Sequence, residues 1–272
     1  IQENLLSFMD DDSNVEENFQ NLNSLLFDKK IFENPNKYKL FLHLVSQISN
    51  NHQRGPNFFT KIERIFNLFK DNINNFFTNM QIFNIFKKSK RIILSLIESK
   101  IIFIDENITQ TILTTPKFIK YQYPRYFAPE IEPFTNKPWF IKIQKKANKD
   151  SDYSDYSDES DDSDDNDNWI KKITKKLPEN FNEDRKTGEN NDTVCKLIRE
   201  DQIKEFIVFV NKTNFPLNST IKKSIYETNS FLNKQKKISL IEYASFFGSI
   251  QIFKYLLSQN IELTSSLWFY AV

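Results

Sequence analysis

Three glycines serve 272 residues, and that scarcity limits what this chain can fold into more than any other feature. Turn-dense β architectures place glycine at many tight corners, and glycine loops that cradle phosphates need bare backbone. Both are disfavoured here. The composition instead favours helices whose breaks fall at proline, asparagine and short polar stretches.

The apolar spacing agrees. Residues 16–32 carry Phe19, Leu22, Leu25 and Leu26 at helical intervals, and Pro35 follows as a break. Residues 37–49 place Leu40, Phe41, Leu44, Val45 and Ile48 on one side, and Gly55-Pro56 closes that unit. Residues 57–79 carry a third stripe through Phe58, Phe59, Ile62, Ile65, Phe66 and Phe69, followed by two short apolar helices over 81–87 and 90–99. Such stripes are the buried faces of packed helices. The 27 Phe supply ample core. A bias to Phe, Ile, Asn and Lys is what A/T-rich coding DNA produces, so it carries no functional reading. Residues 116–139 differ: five prolines (116, 124, 129, 133, 138) interrupt any continuous helix, while Tyr121, Tyr123, Tyr126, Phe127, Phe134 and Trp139 lie among them. So many aromatics predict an ordered, extended strap lying on the helices. A proline-rich ligand for a partner domain is the alternative, and no PxxP spacing supports it.

The net charge of +1 hides a segregation. Residues 150–168 hold ten acids and no Lys or Arg, which leaves the rest of the chain at +11. Within that stretch, 151–165 is a strict Ser-Asp triplet series. It has too little apolar surface to offset its ordering entropy, so 149–168 is expected to be a disordered acidic linker between a helical region, 1–148, and a second part, 169–272. A calcium loop starting at Asp161 fails, because Asn166 stands where glycine is needed and Lys172 where a bidentate glutamate is needed. Ser151, Ser154, Ser157, Ser160 and Ser163 each precede an acid and are candidate phosphorylation sites. An unmodified solvated spacer is the other reading.

Residues 239–263 carry the most informative pattern. Ser239 with Glu242 forms a capping-box signature, which satisfies free amides where a helix starts. Ala244 and Ser245 are small enough for two helices to approach closely, and Gly248 permits a left-handed turn between them. Ser249 is placed to cap the second helix, whose buried side is Ile252, Phe253, Leu256 and Leu257, and Asn260 tolerates the left-handed C-terminal position. With Ser239 at the Thr position, Ile241 at the Leu, Ala244-Ser245 at the Ala pair, Gly248 at the inter-helix Gly and Leu256-Leu257 at the paired Leu, this segment resembles an ankyrin repeat. Asn260 replaces the family's closing Gly. Ser266–Ala271 resembles the start of a further repeat with a trimmed turn. Upstream, Leu197-Ile198 and Asp201–Val210 fit the same helix pair 47 residues earlier, with an insertion that holds another capping-box signature, Ser224 with Glu227.

Residues 181–272 are thus similar to the divergent ankyrin-repeat proteins expanded in parasitic protists, the trichomonad type in particular, in which a helical domain precedes the repeats. The resemblance implies an all-α fold: a helical N-terminal region followed by ankyrin-like helix pairs stacked as an α-solenoid. It implies no catalytic residues. A weaker echo sets 82–104 against 242–264, with Ser89 on Ser249 and Ile92, Ile93, Leu96 and Ile97 on Ile252, Phe253, Leu256 and Leu257. It predicts degenerate ankyrin-like pairs in the N-terminal region as well. The sequence also reads as an incomplete array, with Phe253, Leu257 and the aromatic segment 267–270 on an open face.

The expected function is therefore a non-catalytic protein–protein interaction scaffold, with a protein partner, no small-molecule substrate, no cofactor and no metal. The competing reading is an enzyme in the helical region, whose candidates are His43, His52 and Cys195; no acid pair or phosphate loop joins them. Nucleic-acid binding by the basic remainder is a third, without a recognised module. No apolar run reaches a membrane span, and a single cysteine fits a reducing compartment, so an intracellular, cytoplasmic protein is expected.

Overall fold

The computed structural model describes residues 1–51, 57–120, 122–151, 176–235, 237–261, 263 and 265–270. Among them the chain is predominantly helical, and its one β feature is an isolated antiparallel bridge, Thr220 to Ser239. In chain order the helices are α1 (Gln2–Asp10), α2 (Val15–Asp28), α3 (Pro35–Asn51), α4 (Phe58–Phe76), α5 (Asn79–Phe86), α6 (Lys90–Glu98), α7 (Glu106–Thr114), α8 (Pro116–Lys120), α9 (Tyr123–Tyr126), α10 (Ala128–Ile131), α11 (Pro138–Ser151), α12 (Phe181–Thr187), α13 (Thr193–Arg199), α14 (Ile203–Thr213), α15 (Ser230–Lys234), α16 (Leu240–Phe247) and α17 (Ile250–Ser258). Single 3-10 turns lie at Ile31–Glu33, Glu132–Phe134 and Ser265–Phe269.

Glycine scarcity leaves its mark on how these helices end. Lys30, Lys100, Gln122, Asp201, Asn214 and Asn260 all hold left-handed backbone, against Gly188 and Gly248. Side-chain-bearing residues thus stand where glycine is the usual choice, at a cost of about 1–2 kcal/mol each. That cost is met by hydrogen bonds closing the helix ends. At Lys100, for example, Ile101 N donates to Leu96 O at 2.9 Å.

The chain divides into two compact units, residues 1–69 with 187–272, and residues 70–186. In the first, α1 and α2 pack together, and the turn Ile31–Glu33 brings Phe32 against Tyr38 and Phe69. Tyr38 is fully buried, and its hydroxyl donates to Phe69 O at 3.1 Å. Lys61 is also buried, with Nζ reaching Asp12 Oδ1 at 2.6 Å and the carbonyl of Met9, in the last turn of α1, at 3.0 Å. A cation there meets the negative end of the helix. The expected stripe of α3 is corrected. Leu40 is 71% exposed, and the buried side runs through Tyr38, Phe41, Leu42, Val45 and Ser49. Pro35 falls at the break between α2 and α3 and opens α3, where its missing N–H is not needed.

In the second unit, α5 and α6 pack on each other and are joined by residues 87–89. Thr78 and Gln81 form a capping box on α5, and Ser89 caps α6. α7 then packs on α5, and Asn79 Nδ2 donates to Asp105, the N-cap of α7, at 2.7 Å. The proline-rich segment is ordered but not extended. It forms α8, α9, α10 and a 3-10 turn, with the prolines in the first positions of each and Pro138 opening α11. Proline is excluded from helix interiors, not from first turns, so five prolines give five short starts. Phe118 and Tyr123 stack at 4.7 Å, and the Tyr123 hydroxyl donates to Lys87 O at 2.7 Å.

The acidic series lies outside the described residues except for its first residue, Ser151, which ends α11. Helix therefore continues past residue 149, where composition placed the start of the linker. Both flanks of the tract, α11 and residues 176–186, belong to the same compact unit. Composition placed the tract between two parts of the chain, and its described flanks fall in one unit. The returning segment is held by a bidentate pair of buried Arg185 with half-buried Glu130: Arg185 Nη1 and Nη2 lie 2.8 Å from the two Glu130 oxygens, and the Tyr126 hydroxyl donates to Arg185 O at 2.7 Å. Removing one partner of such a pair leaves an uncompensated buried charge, at about 3–5 kcal/mol. We expect Glu130→Ala to cost that much in urea unfolding of the full chain, and Glu130→Ala/Arg185→Met to recover most of it. A loss below about 1 kcal/mol in the single variant would mean that this pair does not hold the segment in place.

Candidate functional site

The hairpin predicted from the repeat pattern forms. Ser239 N donates to Glu242 Oε2 at 2.8 Å, and Glu242 N to Ser239 Oγ at 3.4 Å, closing the capping box on α16. Ile241 and Ala244 are buried and Ser245 is half-buried. Gly248 takes φ 67°, and Ser249 N returns to Ala244 O at 2.9 Å. α17 buries Ile252 and Leu256, and Asn260 closes it with φ 56°. Leu257, expected on the buried side, is 38% exposed, and Phe253 is half-buried.

The upstream pair forms as α13 and α14, in the same register. Asp192 caps α13 47 residues before Ser239 caps α16. Asp201 holds φ 48° 47 residues before Gly248, and Gln202 N donates to Leu197 O at 3.0 Å, as Ser249 N does to Ala244 O. α13 packs on α16 and α14 on α17, so first helix meets first and second meets second. The turn Ser265–Phe269 packs on α16, and Ser266 Oγ donates to Glu242 Oε1 at 2.5 Å.

Two capping assignments are corrected. Ser249 makes no side-chain cap on α17; its hydroxyl donates instead to Ile198 O at 2.5 Å. The free amides of α17 are taken by Asp201, whose Oδ2 and Oδ1 accept from Gln251 N at 3.0 Å and Ile252 N at 2.9 Å. The cap thus comes from the neighbouring hairpin, because a carboxylate answers the positive helix end better than a hydroxyl. Nor does Ser224 cap with Glu227. Tyr226 N donates to Ser224 Oγ at 3.2 Å in a turn, and Asn229 is the N-cap of the next helix, α15.

Between the hairpins lies a cluster of titratable side chains. The Arg199 side chain sits 2.6 Å from Glu189 Oε2 and donates to Asn190 O at 2.6 Å and the Tyr243 hydroxyl at 3.0 Å. Cys195 is buried beside them, and burial, with Asp192 adding to it, pushes its thiol up to about 12. Burial likewise raises the Tyr243 phenol well above its ordinary range. Neither is an activated nucleophile at neutral pH. Glu227 is 6% exposed, and its Oε2 has no hydrogen-bond partner among the described residues. It lines a cavity of about 30 Å³ beside Tyr243 and Asn190, room for a single water. The other enzymatic candidates do not join this cluster. His43 is exposed on α3, and His52 lies outside the described residues. Among the described residues no group of three or more His, Cys, Asp or Glu is placed to hold a metal ion, and no helix is long and apolar enough to cross a membrane. Of the candidate phosphorylation sites, Ser151 ends α11, while Ser154, Ser157, Ser160 and Ser163 lie outside the described residues.

What the stack offers to its surroundings is surface. Leu197, Val208 and Phe209, with Thr193, Lys204 and Glu205, line an open groove of about 340 Å³ between α13 and α14. Trp268 is 84% and Phe269 72% exposed on the C-terminal turn. The apolar pattern does not single out Val208, which lies off the Phe206–Val210 stripe of α14 and gives no signal until the neighbouring helix is placed. No family model matches the chain, and neither a curated protein nor a solved structure matches it.

Two measurements check this account. Asp201→Ala should cost about 1–2 kcal/mol in urea unfolding, the range for a lost N-cap, although Asp201 is remote in sequence from the helix it caps. Cys195 should react with iodoacetamide far more slowly in the native chain than in urea. Native labelling as fast as denatured labelling would contradict its burial.

Proposed function

We propose that this chain is a non-catalytic protein–protein interaction scaffold of the ankyrin-repeat type. The observation that carries the reading is the shared 47-residue register of two stacked hairpins, in which N-caps, left-handed closures and buried faces recur together. Units that bury one face on a neighbour and leave the other residues free to vary are suited to binding proteins by shape. The α5–α6 hairpin adds support. Its Lys100 closes with φ 58°, 160 residues before Asn260 with φ 56°, and the next helix cap follows the Thr78 cap by 27 residues, the interval that also separates Ser239 from Ser266. Its first helix fits less well, since the capping boxes at Thr78 and Ser239 are 161 residues apart and the loop is one residue longer.

In this reading the motif residues Ser239, Ile241, Glu242, Ala244, Ser245, Gly248, Leu256, Leu257 and Asn260 are structural, and exposed side chains choose the partner. No cofactor or small-molecule substrate enters the proposal. Immobilised full chain, incubated with extract of its native cells, is expected to retain a defined protein whose cross-links map to exposed residues of α13, α14, α16 and α17. Retention should survive nuclease. Loss of the bound material on nuclease treatment, together with direct DNA or RNA binding that collapses between about 50 and 200 mM salt, would favour nucleic-acid binding instead.

A further inference from the structure

The register that relates the two hairpins also says what their free faces fit. Within the chain, α14 presents Phe206 and Val210 to the second hairpin, and both are buried; the Phe206 ring meets Tyr255 of α17 at 6.0 Å. Moving 47 residues along, Phe206 becomes Phe253 and Val210 becomes Leu257. Both lack full cover, Phe253 being half-buried and Leu257 38% exposed. Moving 47 residues back, Tyr255 becomes Val208, which is 63% exposed in the groove between α13 and α14. At 100° per residue, Val208 lies about 200° around α14 from Phe206, and Leu257 about 200° around α17 from Tyr255. The second helices therefore turn toward solvent, at Val208 of α14 and Leu257 of α17, positions that the internal contact uses in the other hairpin.

We propose that a second copy of this chain covers that surface, head to tail. The α13–α14 groove of one copy seats over α17 of the next, so that Val208 meets Phe253 as Tyr255 meets Phe206 within the chain. The turn Ser265–Phe269 already occupies the place over α16. It would present Trp268 and Phe269 to the groove, whose volume of about 340 Å³ is ample for an indole ring. The lining is apolar at its floor, with Leu197, Val208 and Phe209, and Lys204 and Glu205 stand at its rim. Such a contact is heterologous, so it propagates instead of closing on itself. It is also small. Two aromatics bury roughly 150–250 Å² each, which leaves the total below the standard size of a stable interface, so the association is weak and concentration-dependent. The inference rests on reading the hairpins as repeats in one register.

Sedimentation velocity of the full chain tests it. The weight-average mass should rise across the micromolar range without a discrete plateau, and it should persist at high salt because the contact is apolar. Val208→Glu blocks the groove, and Leu257→Glu/Trp268→Ala blocks the opposite face. Each should weaken association about tenfold or more, with circular dichroism unchanged; Val208 and Trp268 are 63% and 84% exposed, and melting of the Leu257 variant, a position only 38% exposed, is measured alongside to separate lost association from lost stability. The decisive arm is the mixture. Each variant keeps one intact face, so an equimolar mix should give a single one-to-one dimer and nothing larger. Strict monomer at every concentration, association that vanishes with salt, or variants that associate like the parent would overturn the proposal. Protein-partner binding that survives in either variant would leave the scaffold reading standing when this one fails. Val208→Ser serves as a milder groove variant should the glutamate disturb folding.

Discussion

The Asp201 carboxylate holds the C-terminal part of the molecule together. It sits in a left-handed turn, accepts from two free amides at the start of α17, and belongs to the hairpin before the one it caps. Ser249 answers from the other side by donating to the last turn of α13. Each hairpin thus satisfies the backbone ends of its neighbour, and neither end is complete without the other. The apolar layer between them, with Ile198, Phe206, Ala244, Ile252 and Leu256, supplies the larger share of the free energy. It does so without direction. The capping bonds fix which helix stands over which, and so fix the register on which the functional reading rests.

The same economy explains the buried polar cluster around Arg199. A guanidinium placed between two hairpins must have its donors met, and Glu189, Asn190 and Tyr243 meet them from two segments. The cluster ties the loop before α13 to the first helix of the next hairpin. Burial favours the neutral forms of the Cys195 thiol and of the Tyr243 phenol beside it.

The acidic tract takes on a different meaning once its flanks are placed. Arg185 pairs with Glu130, so the described segments on both sides of the tract are anchored in one unit. Composition registers the tract's polarity but carries no information about where its ends are anchored. That depends on a salt bridge between residues 55 positions apart.

By itself the sequence determined the helical character, the positions of most helices, and the hairpin at 239–260 with its capping box, glycine closure and asparagine stop. All of these follow from local chemistry: periodic apolar residues, side chains that reach neighbouring amides, and backbone that tolerates φ > 0. The proline segment was legible as ordered but not as helical turns, because proline marks the boundaries of helices without saying which side is helical. α1 and α7 carried no signal strong enough to read. Tertiary structure alone decided that residues 1–69 fold with 187–272, that Asp201 and not Ser249 caps α17, and that Leu40 faces solvent while Tyr38 is buried. Each of these turns on which of several adequate local partners comes within about 3 Å once distant segments are packed together. That choice belongs to the energy of the whole core and not to any window of the chain.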